Sequence, residues 1–247
     1  MMTEAGRVTM EHGHTLAEIR ERLAAGPRHS YLRDWIYGGI DGAVTTFAIV
    51  TGVVGAQLRP SVILVLGVAN LFADGFSMAA SNYLGTRAER EDFEHLEAVE
   101  RRHVEAVPEG EREEVRQIFR GKGFDGRELE HVVALITSDD SRWVRTMLTE
   151  EYGLPASIRS PLRAALATFS AFCLCGLAPL VPYLFGAPEA FRLSTLLTGV
   201  VFFAIGSTKS RWSTASWWSS GLSTLLVGAL AASLAYVVGT LLKGLIV

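Results

Sequence analysis

Asp41 and Asp74 are the costly residues of this chain. Each lies in an apolar run long enough to cross a bilayer, where a carboxylate is expensive unless it faces protein interior, water or a cation. Helical spacing gives both of them neighbours. Gly38, Asp41, Thr45 and Gly52 fall on one stripe of the first run, and Gly67, Asn70, Asp74, Met78 and Ser81 on one stripe of the second. Carboxylate, amide, hydroxyl and thioether together suit a borderline divalent transition metal better than calcium or magnesium, which favour oxygen alone. Close helix approach accounts for Gly38, Gly42, Gly52 and Gly67 without any ligand. It does not account for the carboxylates.

A second set of donors lies further on. Glu97, Glu100 and His103 recur at every third residue, Glu111 and Glu114 repeat that spacing, and Met147 stands one helical turn before Glu151, beside Glu150. Glu-x-x-His occurs at Glu100/His103 and again at Glu128/His131, a pattern used by di-iron helical bundles. Acid-rich helices also occur simply as solvated faces. Residue types alone leave metal ligation and plain solvation both open here.

These residues need helices to hold them. Five hydrophobic spans are expected at 35–57, 61–85, 161–185, 191–208 and 217–242, each near the roughly 20 residues that a membrane helix requires. Leu58-Arg59-Pro60 makes the first two a tight hairpin. Lysine and arginine at the span ends set the orientation: with the N-terminus inside, eight flank the inner side (Arg28, Arg33, Arg87, Arg90, Arg159, Arg163, Lys209, Arg211) and three the outer (Arg59, Arg192, Lys243). Trp35, Trp212, Trp217 and Trp218 then lie at the inner boundary, where aromatic belts form.

Charge marks off the rest. Of 26 acidic and 23 basic residues, 18 and 11 lie between Arg87 and Gly153, a local excess of seven negative charges hidden by the overall −3. The expected organisation is a cytosolic N-terminal amphipathic helix within 1–33, spans one and two in 34–86, an acidic cytosolic helical module in 87–156, and spans three to five in 157–247. In the N-terminal part, Leu16, Ile19 and Leu23 share a face of a helix over 15–25 that Gly26-Pro27 stops. No glycine or proline interrupts TRAEREDFEHLEAVERRHVEA, so the second span is expected to run on into the module as one helix. Three shorter helices follow: Glu109–Arg120, one started by an Asp125/Glu128 capping box, and one within Ser138–Tyr152 ended by Gly153.

Met1 to Arg33 has no apolar core of a signal peptide, so the first span is expected to serve as its own insertion signal. Cys173 and Cys175, the two cysteines, point about 200° apart on a helix and are read as small-residue packing. There is no pattern for an organic cofactor or for nucleic acid.

The segments DWIYGGIDGAVTTFAIVTGVVGA and ANLFADGFSMAASNYLG, with EEYG just before a proline, resemble the vacuolar iron transporter family, in order and across nearly the whole chain from Asp34. The resemblance implies an all-α membrane protein, a homodimer that moves ferrous iron, and in some members manganese, out of the cytosol in exchange for protons. It puts the family's pathway aspartate on Asp41 and its methionine on Met78. Many members carry glutamate where this chain has Asn70; here Asp74 supplies a carboxylate one turn further on. In the module, the family's metal-binding glutamates map onto Glu100, Glu111, Glu114 and Glu151 and a methionine onto Met147, while His103 replaces a glutamate. The short N-terminus points to a bacterial inner membrane.

Two other readings of the same residues stand beside this one. A membrane-anchored ferritin-like di-iron protein would use the Glu-x-x-His pairs, but the helices after Pro108 are short for such a bundle. A metal sensor anchored by its spans would have no use for Asp41 and Asp74.

Overall fold

A computed structural model of the chain describes residues 13–25, 29–155, 157–212 and 214–246. Among these the secondary structure is helical, with no strand. The order is α1 (Leu16–Ala25), α2 (Leu32–Gly55), α3 (Pro60–Ala106), α4 (Pro108–Gly121), α5 (Gly126–Thr137), α6 (Asp140–Glu150), α7 (Pro161–Leu177), α8 (Val181–Leu184), α9 (Ala190–Lys209) and α10 (Trp217–Ile246). Five stretches are long and apolar enough to cross a membrane: α2, the apolar part of α3, Pro161–Leu184, α9 and Trp217–Gly244. The chain is an integral membrane protein of the all-α class. The expected Gly26-Pro27 stop after α1 and the chain before residue 13 lie outside the described residues.

The described residues divide into two compact units, one within 31–94 and 159–246 and the other within 95–158 together with 13–25 and 29–30. In the first, α2 lies against α7, α9 and α10. Its glycines allow this. A Cβ on Gly38 would stand 2.3 Å from the Thr168 carbonyl oxygen and one on Gly42 2.2 Å from that of Phe172, while one on Gly176 would meet the Gly42 oxygen at 2.7 Å. Backbone thus touches backbone along the α2–α7 seam. Contacts to α3 are of another kind: a Cβ on Gly67 would meet the Leu180 side chain and one on Gly75 that of Phe172. Phe47, Val50, Val53, Ile63, Leu71, Phe172 and Leu180 fill one apolar cluster; Ile36, Ala43, Cys175, Phe202 and Ile205 fill another. Cys175 is buried there and Cys173 is only partly covered, both as free thiols, so the two diverge as their spacing requires. Large apolar residues such as Val65, Phe72, Phe76, Leu174, Leu226, Leu230 and Leu234 are exposed, as expected where the solvent is lipid.

The third span is not the unbroken helix read from its hydropathy. A 3-10 turn at Ala178–Leu180 separates α7 from α8, because Pro179 and Pro182 remove two backbone donors. The buried Ser194 hydroxyl of α9 donates to the Pro179 carbonyl at 2.7 Å, satisfying an acceptor at the break.

In the other unit, α4 packs on α5 and α5 on α6. They bury Val115, then Leu129, Val133 and Ile136, then Trp143, Val144, Met147 and Leu148. Asp125 has the extended backbone of an N-cap but its side chain makes no capping bond; the expected box is not formed. Asp139 caps instead, accepting from the Arg142 N–H at 2.7 Å. This last helix ends at Glu150 with Glu151 as its C-cap, and Gly153, at φ +66°, turns the chain two residues beyond rather than capping it.

Candidate metal centre and ion pathway

The last turns of α3 bring Glu100 and His103 opposite Glu111 in the first turn of α4. Each of the three offers a ligand atom, all within 4.8 Å of one another, close enough for small side-chain shifts to bring them onto one ion at about 2.1 Å. The imidazole Nδ1 of His103 lies 3.4 Å from Glu111 Oε1 and 3.7 Å from Glu100 Oε1. Glu100 is 1% exposed and Glu111 5%. One oxygen of each, Oε2, is buried without a hydrogen-bond partner, and an orphaned buried carboxylate oxygen costs free energy until something positive meets it. The donor set therefore fits a divalent metal.

Electrostatics widens the cluster. Burial, with the charges of Glu100 and Glu114 beside it, pushes the Glu111 carboxyl up to about 7. Burial and the same two neighbours raise Glu151. Tyr152, whose hydroxyl donates to Glu100 Oε1 at 2.9 Å, is pushed up to about 12, first by burial and then by that bond. Glu114 and Glu151 are exposed at the rim, and Met147 is fully buried.

Two of the expected ligands go elsewhere. Glu97 pairs with Arg101 at 2.6 Å and Glu150 with Lys122 at 2.5 Å. Glu128 and His131 are both exposed. Among the described residues, Glu100, His103 and Glu111 form the one such group; the second Glu-x-x-His does not join it. Tyr152 is a residue that sequence reasoning missed, and its place directly after Glu151 was the available signal.

In the membrane-spanning unit, α2 and α3 meet through polar rungs. Asn70 Nδ2 donates to Thr45 Oγ1 at 3.1 Å, and Thr45 Oγ1 donates to the Asp41 carbonyl at 2.9 Å. Asp41 and Asp74 are near enough to interact electrostatically. Met78 packs on the cluster around Phe47 and Phe172. Asp41, Thr45, Asn70, Asp74 and Met78 are all half-buried. A further rung, Asn82 Nδ2 to Asp34 Oδ1 at 3.0 Å, continues the same antiparallel register and was not foreseen.

The sequence profile of the VIT family matches residues 32–240, which takes in both sets of residues. The chain belongs to the VIT family. Among its relatives, the "Vacuolar iron transporter" of Toxoplasma gondii (strain ATCC 50861 / VEG) is 33% identical over 225 residues, 86% of this chain and 74% of that one. The protein of the same name from Plasmodium berghei (strain Anka) is 30% identical over 252 residues, covering 97% and 92%. "Vacuolar iron transporter 1" of Arabidopsis thaliana is 30% identical over 210 residues, 83% of each chain. VIT-family membership thus covers the whole hairpin with its carboxylates and the whole acidic module.

Proposed function

We propose that this VIT-family chain is a proton-coupled secondary transporter, not an enzyme, that carries ferrous iron, and manganese as a second substrate, out of the cytosol. The observation that carries this reading is the α2–α3 seam, where Asp41 and Asp74 face one another's field among Thr45, Asn70 and Met78. Two carboxylates held together inside a membrane protein are stable only with a cation or a proton. Iron as the cargo is supported by the names of the relatives.

In this mechanism the acidic module, residues 87–156, lies in the cytosol and gathers the ion with Glu100, His103 and Glu111. Glu114, Glu151 and Met147 supply charge and a soft donor beside them. The ion then passes to Asp41, Asp74 and Met78. Protonation from the far side releases it, since a protonated carboxyl is a poor ligand and is cheaper to keep in lipid. The chain works as a homodimer; the half-buried state of all five seam residues in the single chain leaves them a face for a second copy. The ferritin-like reading is disfavoured, because Glu128 and His131 stand exposed and apart from the cluster.

The test is metal flux into proteoliposomes under a pH gradient, comparing Fe²⁺, Mn²⁺ and Zn²⁺. Wild-type protein takes up Fe²⁺ and Mn²⁺ in proportion to the gradient, and Asp41→Ala takes up neither. Undiminished flux in Asp41→Ala, or flux indifferent to the gradient, overturns the reading.

A further inference from the structure

The seam between α2 and α3 is a ladder. Its hydrogen-bonded rungs are Thr45–Asn70 and, at the end near the start of α2, Asp34–Asn82, with Asp41 and Asp74 half-buried between them. The last rung carries a carboxylate, as the stretch before it does, but with a fixed cation already on it. Arg159 Nη1 lies 3.2 Å from each of the two Asp34 oxygens. Asp34 is only 5% exposed. The same Asn82 NH2 group also donates to Thr168 Oγ1 at 2.7 Å, while its amide oxygen accepts from Thr86 Oγ1 at 3.3 Å, so the carboxylate is met by Asn82's NH2 and by the guanidinium, and Thr168 is tied to it through Asn82.

Arg159 has somewhere else to go. Its Nη2 is 3.8 Å from Glu89, whose side chain is 66% exposed. Its backbone is held beside the site, since the next residue, Ser160, donates its N–H to the Tyr31 hydroxyl at 2.9 Å. A guanidinium anchored at its root and shared between a buried and an exposed carboxylate has two resting places. Stability alone is a weak reason for such a pair, because a well-packed apolar replacement of a buried ion pair is often neutral or stabilising.

We propose that the buried Asp34 carboxylate, held in place by Asn82, is a third cation station at the inner end of the ladder, and that Arg159 is its tethered occupant, displaced towards Glu89 by an incoming divalent ion. This rests on the transport reading above and extends it. The arginine keeps the station neutral between ions and makes each ion compete for it. A station open about a tenth of the time binds about tenfold more weakly than one always open.

The experiment compares wild type, Arg159→Gln, Arg159→Lys and the double variant Asp34→Asn/Arg159→Gln. Initial rates of Fe²⁺ uptake into proteoliposomes are read with Mn²⁺ bound per chain, counted by electron paramagnetic resonance in detergent. Arg159→Gln is expected to lower KM about tenfold and to hold one more Mn²⁺ than wild type; Arg159→Lys stays near wild type in both. The double variant, which leaves no unpaired charge, is expected to melt as wild type does, to lose the extra Mn²⁺ and to show a raised KM. A double variant with wild-type KM, or equal Mn²⁺ counts in all four proteins, overturns the inference and leaves the pair a helix staple. Wild-type liposomes that move no ion would instead strike the transport reading, and the Mn²⁺ counts would still decide this one.

Discussion

Tyr152 gives its phenolic hydrogen to one oxygen of Glu100 at 2.9 Å, while the other oxygen of that buried carboxylate has no partner. The bond fixes which oxygen is left for an ion. Partners of this sort typically contribute about 10–100-fold to metal affinity. Tyr152→Phe is therefore expected to weaken Fe²⁺ and Mn²⁺ binding to the module at least about tenfold, read by competition titration of the full-length protein in detergent.

Glu111, raised to about 7 from an ordinary 4.5, makes binding and stability respond oppositely to pH. Metal must displace its proton, so affinity falls as pH drops through about 7. The metal-free fold holds that proton more tightly than the unfolded chain does. The stability it confers is complete below about 4.5 and is lost as pH rises through about 7. Melting temperatures from acid to mildly alkaline pH, with and without Mn²⁺, should diverge across that window, and Glu111→Gln should flatten the metal-free curve.

Adjacent glutamates should behave differently. Glu150 is held by Lys122 at 2.5 Å, whereas Glu151 feels the charges of Glu100 and Glu114. Glu150→Gln is expected to leave module metal affinity unchanged, and Glu151→Gln to lower it several-fold in the same titration.

Two glycines of α2 separate packing from chemistry. Gly42→Ala puts a methyl 2.2 Å from a backbone oxygen of α7, an overpacking that costs about 1–3 kcal/mol or more. Gly52→Ala meets its nearest atom at 3.6 Å and should be tolerated. Thermal unfolding followed by size-exclusion chromatography should show a clear loss for the first and little change for the second.

Much of this was legible in the residues. Five apolar runs of bilayer length became four long apolar helices and a fifth span broken at Ala178–Leu180, and the uninterrupted stretch after Gly85 became the rest of a 47-residue helix. Glu100 and His103 share a face because i, i+3 spacing is local, and Glu111 is brought opposite them only by the turn from α3 into α4. What was not legible depended on distance in sequence. Asp34 stands 48 residues from Asn82 and 125 from Arg159, and no local pattern joins them. Glu150 pairs with Lys122, at the far end of α4, which no local pattern shows, whereas the Glu97–Arg101 pair is an i, i+4 one that the sequence does contain. Prolines 179 and 182 sit inside a run whose hydropathy hides the break.

A carrier has to show its ion to one side of the membrane and then to the other, so some joint must open. Where Gly38 and Gly42 of α2 and Gly176 of α7 meet the facing helix, main chain lies on main chain, and at those points there is no rotatable group to give way. Towards α3 the contacts are rotatable side chains: Leu180 against Gly67, Phe172 against Gly75, an amide on a hydroxyl. On the transport reading, the seam best suited to open is therefore the one that the carboxylates already mark.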